Sequence, residues 1–281
     1  MSLSDWMKII DELEEYRKMS GISPIITLWG GEPLVSPNFD QIARELKDRN
    51  FSLELITNGT KIDQHLDVIK SCIDKVYVSI DGDRKTHDAI RGEGVFDKVK
   101  ANLLALSHPD VTVMSVVTEE LLAGLLGFLA ELAGLGIKSL LLQNMIGLDK
   151  GEIAEYKAWM LSAFGINATE IDSWEASGKI DFSAELTEKL AGINKADYPF
   201  EIIHKEHTKS GDFVCKSPYC HAHIAWNGNV LFCTDFYDFS AGNVKCDTLF
   251  SIFANEKSES FRREIEKNNC PTCRHCSWRM S

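Results

Sequence analysis

The sequence predicts an α/β fold: an incomplete (β/α) TIM-like barrel of parallel strands, followed by a small cysteine-rich α+β domain. Three observations carry this. Short β-branched, apolar runs alternate with amphipathic helical stretches over about the first 150 residues, the pattern of parallel strands joined by helical crossovers. Three successive runs end in small, polar or charged residues: Trp29-Gly30-Gly31-Glu32-Pro33, Thr57-Asn58-Gly59-Thr60 and Ser79-Ile80-Asp81-Gly82. Ligands of open and closed α/β sheets bind at such carboxyl ends of strands. Lastly, seven of the eight cysteines lie between positions 215 and 276. With no secretory signal at Met1, that grouping favours metal or cluster ligation over a disulfide framework. The division expected is a barrel over 1–175 and a cysteine domain over 176–281.

The elements follow in order. Leu3, Ser4 and Asp5 read as a staple and N-cap. The helix after them places Trp6, Ile9, Ile10, Leu13 and Tyr16 on one face and closes at Gly21. Ile25–Trp29 is the first strand. A helix over Phe39–Asp48 buries Phe39, Ile42, Ala43 and Leu46. Strand Ser52–Ile56 and a helix near Gln64–Ser71 come next, with Cys72 as a small buried hydrophobe. Strand Lys75–Ile80 empties into a loop, Asp81–Gly94, ahead of a helix over Phe96–Leu106. Strand Val111–Val117, a helix over Glu119–Leu135 stopped by Gly136, and strand Ser139–Gln143 complete five βα units. Residues 145 to 200 read as helical, with Trp159, Phe164 and Trp174 as packing residues and Ser173–Asp181 as a linker.

Composition excludes some functions. Net charge is −12 over 281 residues with no basic block, which argues against nucleic acid or an anionic membrane as partner. No run approaches the roughly 20 apolar residues of a membrane span, so a cytoplasmic protein is expected.

The Gly30-Gly31-Glu32-Pro33 loop is informative chemically. Glycine lets a ligand approach the backbone without a Cβ in the way, and Glu32 offers an acceptor suited to an amino group. Alone, such a loop is equally an ordinary strand-to-helix turn. Together with Thr57-Asn58-Gly59, Ser79 and His87-Asp88-Ala89-Ile90-Arg91-Gly92, its order and spacing resemble the cofactor-binding barrel of the radical S-adenosylmethionine (radical SAM) superfamily over about Ser4 to Gln143. The resemblance implies an oxidoreductase in which a reduced cluster passes an electron to S-adenosylmethionine and the resulting 5′-deoxyadenosyl radical takes hydrogen from a substrate. Gly30, Gly31 and Glu32 would face the methionine amino group, Ser79 and Arg91 its carboxylate, and Thr57 and Asn58 the ribose. It also implies a six-unit barrel, of which the first strand is missing here. The Cys-x3-Cys-x2-Cys motif that follows that strand is absent before Gly30. The expectation is a fragment, inactive alone, whose S-adenosylmethionine-cleaving cluster belongs to a full-length form; a natural loss of the motif is the alternative. The strand over 24–29 then has an unpaired apolar edge, expected to be covered by the N-terminal helix or by self-association.

In the second domain, Cys215-Lys-Ser-Pro-Tyr-Cys220 opens a hairpin around Asn227-Gly228 that ends at Cys233, and Cys270-Pro-Thr-Cys273-Arg-His-Cys276 follows. Cys215-x12-Gly228-x4-Cys233, with Gly242-Asn243-Val244 and Phe250-Ser-Ile-Phe253, resembles the SPASM or twitch auxiliary-cluster domains of the same superfamily, although the ending is shorter. Six well-placed cysteines are too few for two fully thiolate-ligated four-iron, four-sulfur clusters, which need eight. One auxiliary cluster is therefore expected, held by Cys215, Cys220, Cys233 and one of Cys270, Cys273 and Cys276; a twitch-like set would drop Cys215 or Cys220 and use two of the trio. Cys246 reads as a bystander. His221, His223 and His275 could serve zinc instead. Asp235, two residues after Cys233, is the candidate catalytic carboxylate by resemblance. The implied partners are a peptide or small-molecule substrate and an electron donor such as flavodoxin or ferredoxin. The rivals are a zinc-stabilised binding or scaffold protein, and a barrel enzyme whose glycine loop binds phosphate, where Glu32 would repel the anion.

Overall fold

Six β-branched or leucine-rich runs form one parallel sheet, and most of the helices between them carry an apolar stripe. The computed structural model describes residues 1–176, 178–205, 215–234, 237–267 and 270–276. Its elements begin with α1 (Leu3–Ser20), β1 (Ile25–Leu28), α2 (Phe39–Asp48), β2 (Ser52–Thr57), α3 (Leu66–Cys72) and β3 (Lys75–Ser79). Then come α4 (Arg84–Arg91), α5 (Val95–Leu106), β4 (Val111–Val117), α6 (Glu119–Leu132), β5 (Ser139–Asn144), α7 (Lys150–Phe164), α8 (Ser183–Ala191) and β6 (Glu201–Lys205). The chain divides into two compact units, Leu13–Met145 with Asp181–Lys205, and Met1–Glu12 with Ile146–Ile180 and Glu206–Ser281.

In the first unit the strands lie in sequence order, β1 to β6, every neighbouring pair parallel. Side chains alternate across the sheet. One set, including Leu53, Leu55, Val76, Val78, Val113, Leu140 and Leu142, is wholly buried with the helical residues Ala43, Ile69, Val99, Leu106, Phe128 and Leu132. Each such Leu, Val, Ile or Phe side chain stabilises the fold by roughly 1.5–3 kcal/mol. The other set, including Ile56, Tyr77, Ser79, Met114, Val116 and Gln143, is only half-buried. The sheet thus has one packed face and one open face, as an incomplete barrel requires.

Three sequence expectations change. The segment read as the loop Asp81–Gly94 contains α4, whose N-cap Asp83 accepts a hydrogen bond from Thr86 N at 2.9 Å. Its stripe is polar, and its buried residue is His87, so no apolar period announces it. The sixth strand, β6, lies in the stretch read as second domain; it pairs with β5 from Ser139↔Glu201 to Gln143↔Lys205, so the compact units cut across a linear division at 175/176. The cap of α1 is Ser2 rather than Ser4: Asp5 N donates to Ser2 Oγ, and Ser2 N donates to the Asp5 carboxylate at 2.8 Å. Among the described residues β1 pairs only with β2, and Ile25 is 64% exposed; its outer edge is open.

In the second unit, α7 starts in a capping box between Asp149 and Glu152 and stops at Gly165, φ +67°. Beyond it come α9 (Ser217–Cys220), β7 (His223–Ile224), β8 (Asn229–Leu231), β9 (Gly242–Asn243), α10 (Leu249–Ala254) and α11 (Glu256–Glu266). The expected hairpin is present: β7 and β8 are antiparallel across Asn227-Gly228, with Gly228 at φ +93°, and β9 adds a third strand.

One glycine at a strand end has no room for a side chain. A Cβ on Gly59, φ +78°, would lie 2.9 Å from Val78 Cγ1 and 2.9 Å from Val99 Cγ1. Gly59→Ala should lower unfolding stability by about 1–3 kcal/mol. Gly127→Ala in α6 meets nothing within 4 Å and should raise it by about 0.5–1 kcal/mol. Urea denaturation followed by circular dichroism measures both.

Candidate functional site

At the carboxyl ends of β1 and β2, one carboxylate organises two loops. Glu32 Oε1 accepts Leu34 N at 3.1 Å and Thr57 Oγ1 at 2.7 Å, and Oε2 accepts Asn58 N at 2.7 Å. The first bond caps the short 3-10 turn Pro33–Val35; the other two reach across to the turn after β2. That turn closes on itself, with Gly59 N donating to Thr57 Oγ1 and Thr60 N to Asn58 Oδ1. Asn102 of α5 donates to Gly59 O at 2.8 Å from beneath. A carboxylate has about four lone-pair sites. Three are used, so one remains for an incoming amino group. A Cβ added at Gly30 or Gly31 would meet nothing within 4 Å, and Gly30 sits at φ +153°. The space beside these two glycines is open to a ligand.

After β3, the residues act as a relay of supports. Arg91 Nε donates to Asp81 Oδ2 at 2.7 Å; Asp81 is buried, while the Arg91 side chain is 40% exposed. Asp81 thus holds the guanidinium by one nitrogen and leaves its terminal nitrogens for a planar anion such as a carboxylate. Asp81 N in turn donates to His87 Nδ1 at 3.1 Å, which places the proton of the neutral ring on Nε2. That atom is buried without a hydrogen-bond partner among the described residues. Asp88 accepts from Phe96 N at 2.8 Å and Gly94 N at 3.0 Å, and these bonds hold its carboxyl below the ordinary value. Ser79, half-buried, closes β3 at the same sheet end. The supporting roles of Asp81 and Asn102 were not read from the sequence. For Asp81 the available signal was a carboxylate ten residues ahead of an arginine, with a polar helix between.

In the second unit, the cysteine turns are tied together by backbone. Ser217 Oγ, between Cys215 and Cys220, donates to Phe232 O, next to Cys233. Cys220 Sγ contacts Lys216 O at 3.3 Å. The C-terminal trio flanks and occupies a 3-10 turn, Pro271–His275, with Cys273 N donating to Cys270 O and Cys276 N to Cys273 O, each at 3.3 Å. Cys270 is buried; Cys215, Cys233, Cys273 and Cys276 are half-buried; Cys220 and Cys246 are exposed. The pKa of the buried Tyr156 phenol is raised, first by burial and then by Asp238, Cys270 and Cys233. Among the described residues no three His, Cys, Asp or Glu side chains are gathered as a metal's ligands. The thiol chemistry of the set fits an iron–sulfur cluster, and closing of the ligands on the metal is part of binding in such small domains. His221 and His223 are held below the ordinary histidine pKa by burial. Cys72 is buried, as expected of a hydrophobe. Asp235 lies outside the described residues, as do the side chain of His275 and all of Ser177.

The comparisons with known proteins bear on both units. Residues 3–120 match the radical SAM superfamily, and 215–277 match the SPASM iron-sulfur cluster-binding domain. The chain carries a radical SAM domain followed by a SPASM domain. Its two domains imply S-adenosylmethionine and four-iron, four-sulfur clusters as cofactors. One relative is the tungsten-containing aldehyde ferredoxin oxidoreductase cofactor-modifying protein of Pyrococcus furiosus, 25% identical over 98% of this chain and 78% of that protein. Others are the AdoMet-dependent heme synthase of Methanosarcina barkeri, 35% identical over 36% of this chain and 29% of its own, and the mycofactocin maturase of Mycobacterium ulcerans, 30% identical over 42% and 32%. The crystal structure of Streptococcus suis SuiB bound to S-adenosylmethionine shares the fold, with a TM-score of 0.69 at 12% identity over 99% of this chain and 65% of that one. The chain thus spans about two thirds of SuiB and about a third of the heme synthase and the maturase. No helix among its described residues is long and apolar enough to cross a membrane.

Two outcomes follow from this geometry. Glu32→Ala leaves Thr57 Oγ1, Asn58 N and Leu34 N without their acceptor and should cost about 1–3 kcal/mol of stability, read by denaturant unfolding of the wild type and variant. Burial lowers the His87 pKa below its ordinary 6.5, Arg91 adding to the effect and Asp81 opposing it. As pH falls below 6.5, the unfolded chain therefore takes up a proton that the folded chain refuses, and stability falls until the folded pKa is reached. Melting temperatures recorded from about pH 7.5 down to 5.5 should decline, and less steeply in His87→Asn, whose amide oxygen can replace Nδ1.

Proposed function

We propose that the protein acts in radical modification of a peptide or protein side chain. S-adenosylmethionine, when bound, supplies the hydrogen-abstracting radical chemistry; the chain supplies the binding site. The open lone pair of Glu32, with the open space at Gly30 and Gly31, takes the amino group. The free nitrogens of Arg91, steadied by Asp81, take the carboxylate with Ser79 beside them, and the turn at Thr57 and Asn58 meets the ribose. Cys215, Cys220, Cys233 and members of the Cys270, Cys273 and Cys276 trio hold one auxiliary cluster, with Asp235 as the candidate proton acceptor.

The single observation that carries the reading is the pairing of a radical SAM match over residues 3–120 with a SPASM match over 215–277 in one chain. The names of relatives favour a maturation reaction: a cofactor-modifying protein and a mycofactocin maturase. One SuiB structure contains a precursor peptide, which favours a peptide over a small molecule. The 281 residues contain no Cys-x3-Cys-x2-Cys spacing, so cleavage of S-adenosylmethionine and the oxidoreductase activity belong to a form that has one. Such a form takes its electrons from a flavodoxin- or ferredoxin-type donor, in the cytoplasm. Self-association through the open edge of β1 completes the reading.

The cysteine domain decides between this reading and a zinc scaffold. Anaerobic reconstitution of the chain should give about four iron and four acid-labile sulfide per cluster, and Cys233→Ala should lose both. Stoichiometric zinc without sulfide would replace the proposal with the scaffold.

A further inference from the structure

Helix α7 packs against the 3-10 turn Pro271–His275, which lies between Cys270 and Cys276. Tyr156, midway along α7, is fully buried, hydroxyl included, and Cys270 is 6% exposed. An aromatic cluster fixes the opposite approach. Phe164, at the end of α7, lies 4.9 Å from Phe239 and 5.9 Å from Phe261; Phe261 lies 4.6 Å from Phe239 and 5.9 Å from Phe232. Phe232 directly precedes Cys233, and Phe239 directly follows Asp238. The Asp238 carboxylate is pinned where the chain leaves α7, its Oδ1 accepting Thr169 N at 2.7 Å and Glu170 N at 2.9 Å. The helix that carries Tyr156 thus packs on the turn that follows Cys270, and one aromatic cluster holds Phe232 and Phe239, the sequence neighbours of Cys233 and Asp238; Tyr156 and Cys270 are buried, Cys233 and Asp238 half-buried.

We infer that Tyr156 and Asp238 form a polar wall of the auxiliary cluster site and set the electron affinity of the cluster. The inference rests on the reading of this domain as an iron–sulfur site. Both are positioning residues that act through the field at the thiolates. A phenol of ordinary pKa, about 10, is protonated at neutral pH, so Tyr156 can only donate or accept a neutral hydrogen bond. Its one O–H proton points to the carboxylate or to a thiolate. In the first case it screens the negative charge of Asp238 from the cluster; in the second it stabilises the thiolate directly. Both favour the reduced, more negative cluster and raise the potential, since hydrogen bonds to sulfur and local charge set that potential. Asp238 acts in the opposite sense.

The test uses the full chain, reconstituted without oxygen, as wild type, Tyr156→Phe and Asp238→Asn. Iron and sulfide are assayed first, and the potential is then read by an electron-paramagnetic-resonance-monitored redox titration. The amide of Asp238→Asn keeps an oxygen for Thr169 N and Glu170 N, so both variants preserve shape. All three proteins should hold the same iron and sulfide, with the potential lower in Tyr156→Phe and higher in Asp238→Asn. Unmoved potentials, shifts of the same sign, or loss of the cluster in Tyr156→Phe would overturn the assignment. A wild type with no sulfide would overturn the reading of the domain itself, an outcome the metal assay separates from the others.

Discussion

The Glu32 carboxylate is the constraint on which the rest of the candidate cofactor site depends. A parallel sheet leaves each strand end to find its own backbone partners, and the loops after β1 and β2 do not form a ladder with one another. Glu32 replaces that ladder with bonds to Thr57 Oγ1 and Asn58 N while capping its own turn through Leu34 N. Charge-assisted bonds of this kind are about twice as strong as neutral ones. The same group that orders the loops keeps one acceptor site for a cation. In the proposed reading, structural and binding roles fall on one side chain, with Gly59 packed between Val78 and Val99 to hold the second loop down.

The other end of the site is built by a different device. Arg91 is exposed enough to meet a ligand, yet is fixed by the buried Asp81, whose backbone is fixed by the buried His87. A long, flexible cation loses entropy when it grips a ligand; anchoring one nitrogen in advance reduces that loss. In the cysteine unit the equivalent service comes from aromatic packing. Phe164, Phe232, Phe239 and Phe261 carry the segments that bear Cys233 and Asp238, so the polar groups are placed by apolar contacts around them.

Much of the sheet unit was legible in the sequence because its strands are β-branched or leucine-rich and its helices striped. β1 to β5, α2, α5 and α6 follow from that period alone. β6 did not, because Glu201–Lys205 is short, has two adjacent isoleucines between charged or polar neighbours, and pairs with a strand more than fifty residues away. α4 was hidden because its cap and a buried histidine, rather than an apolar stripe, set it. At the site, residue types and strand ends pointed to Gly30, Gly31, Glu32, Thr57, Asn58, Ser79 and Arg91. The sequence could not show that Glu32 spends most of its acceptor capacity within the chain, or that Asp81 stands behind Arg91. Tyr156 was invisible for the same reason: its role depends on which helix meets the cysteine turn, and that is decided by tertiary packing.

The central claim, that these strand ends form an S-adenosylmethionine site, is tested most directly by calorimetric titration of the anaerobic, reconstituted chain with S-adenosylmethionine. Arg91→Lys is the informative variant, since lysine keeps a cation for Asp81 and loses the planar fork. The account predicts saturable binding by the wild type and about tenfold weaker binding by the variant, ~1.4 kcal/mol. No binding by a folded wild type, or equal affinity in the two proteins, would contradict it.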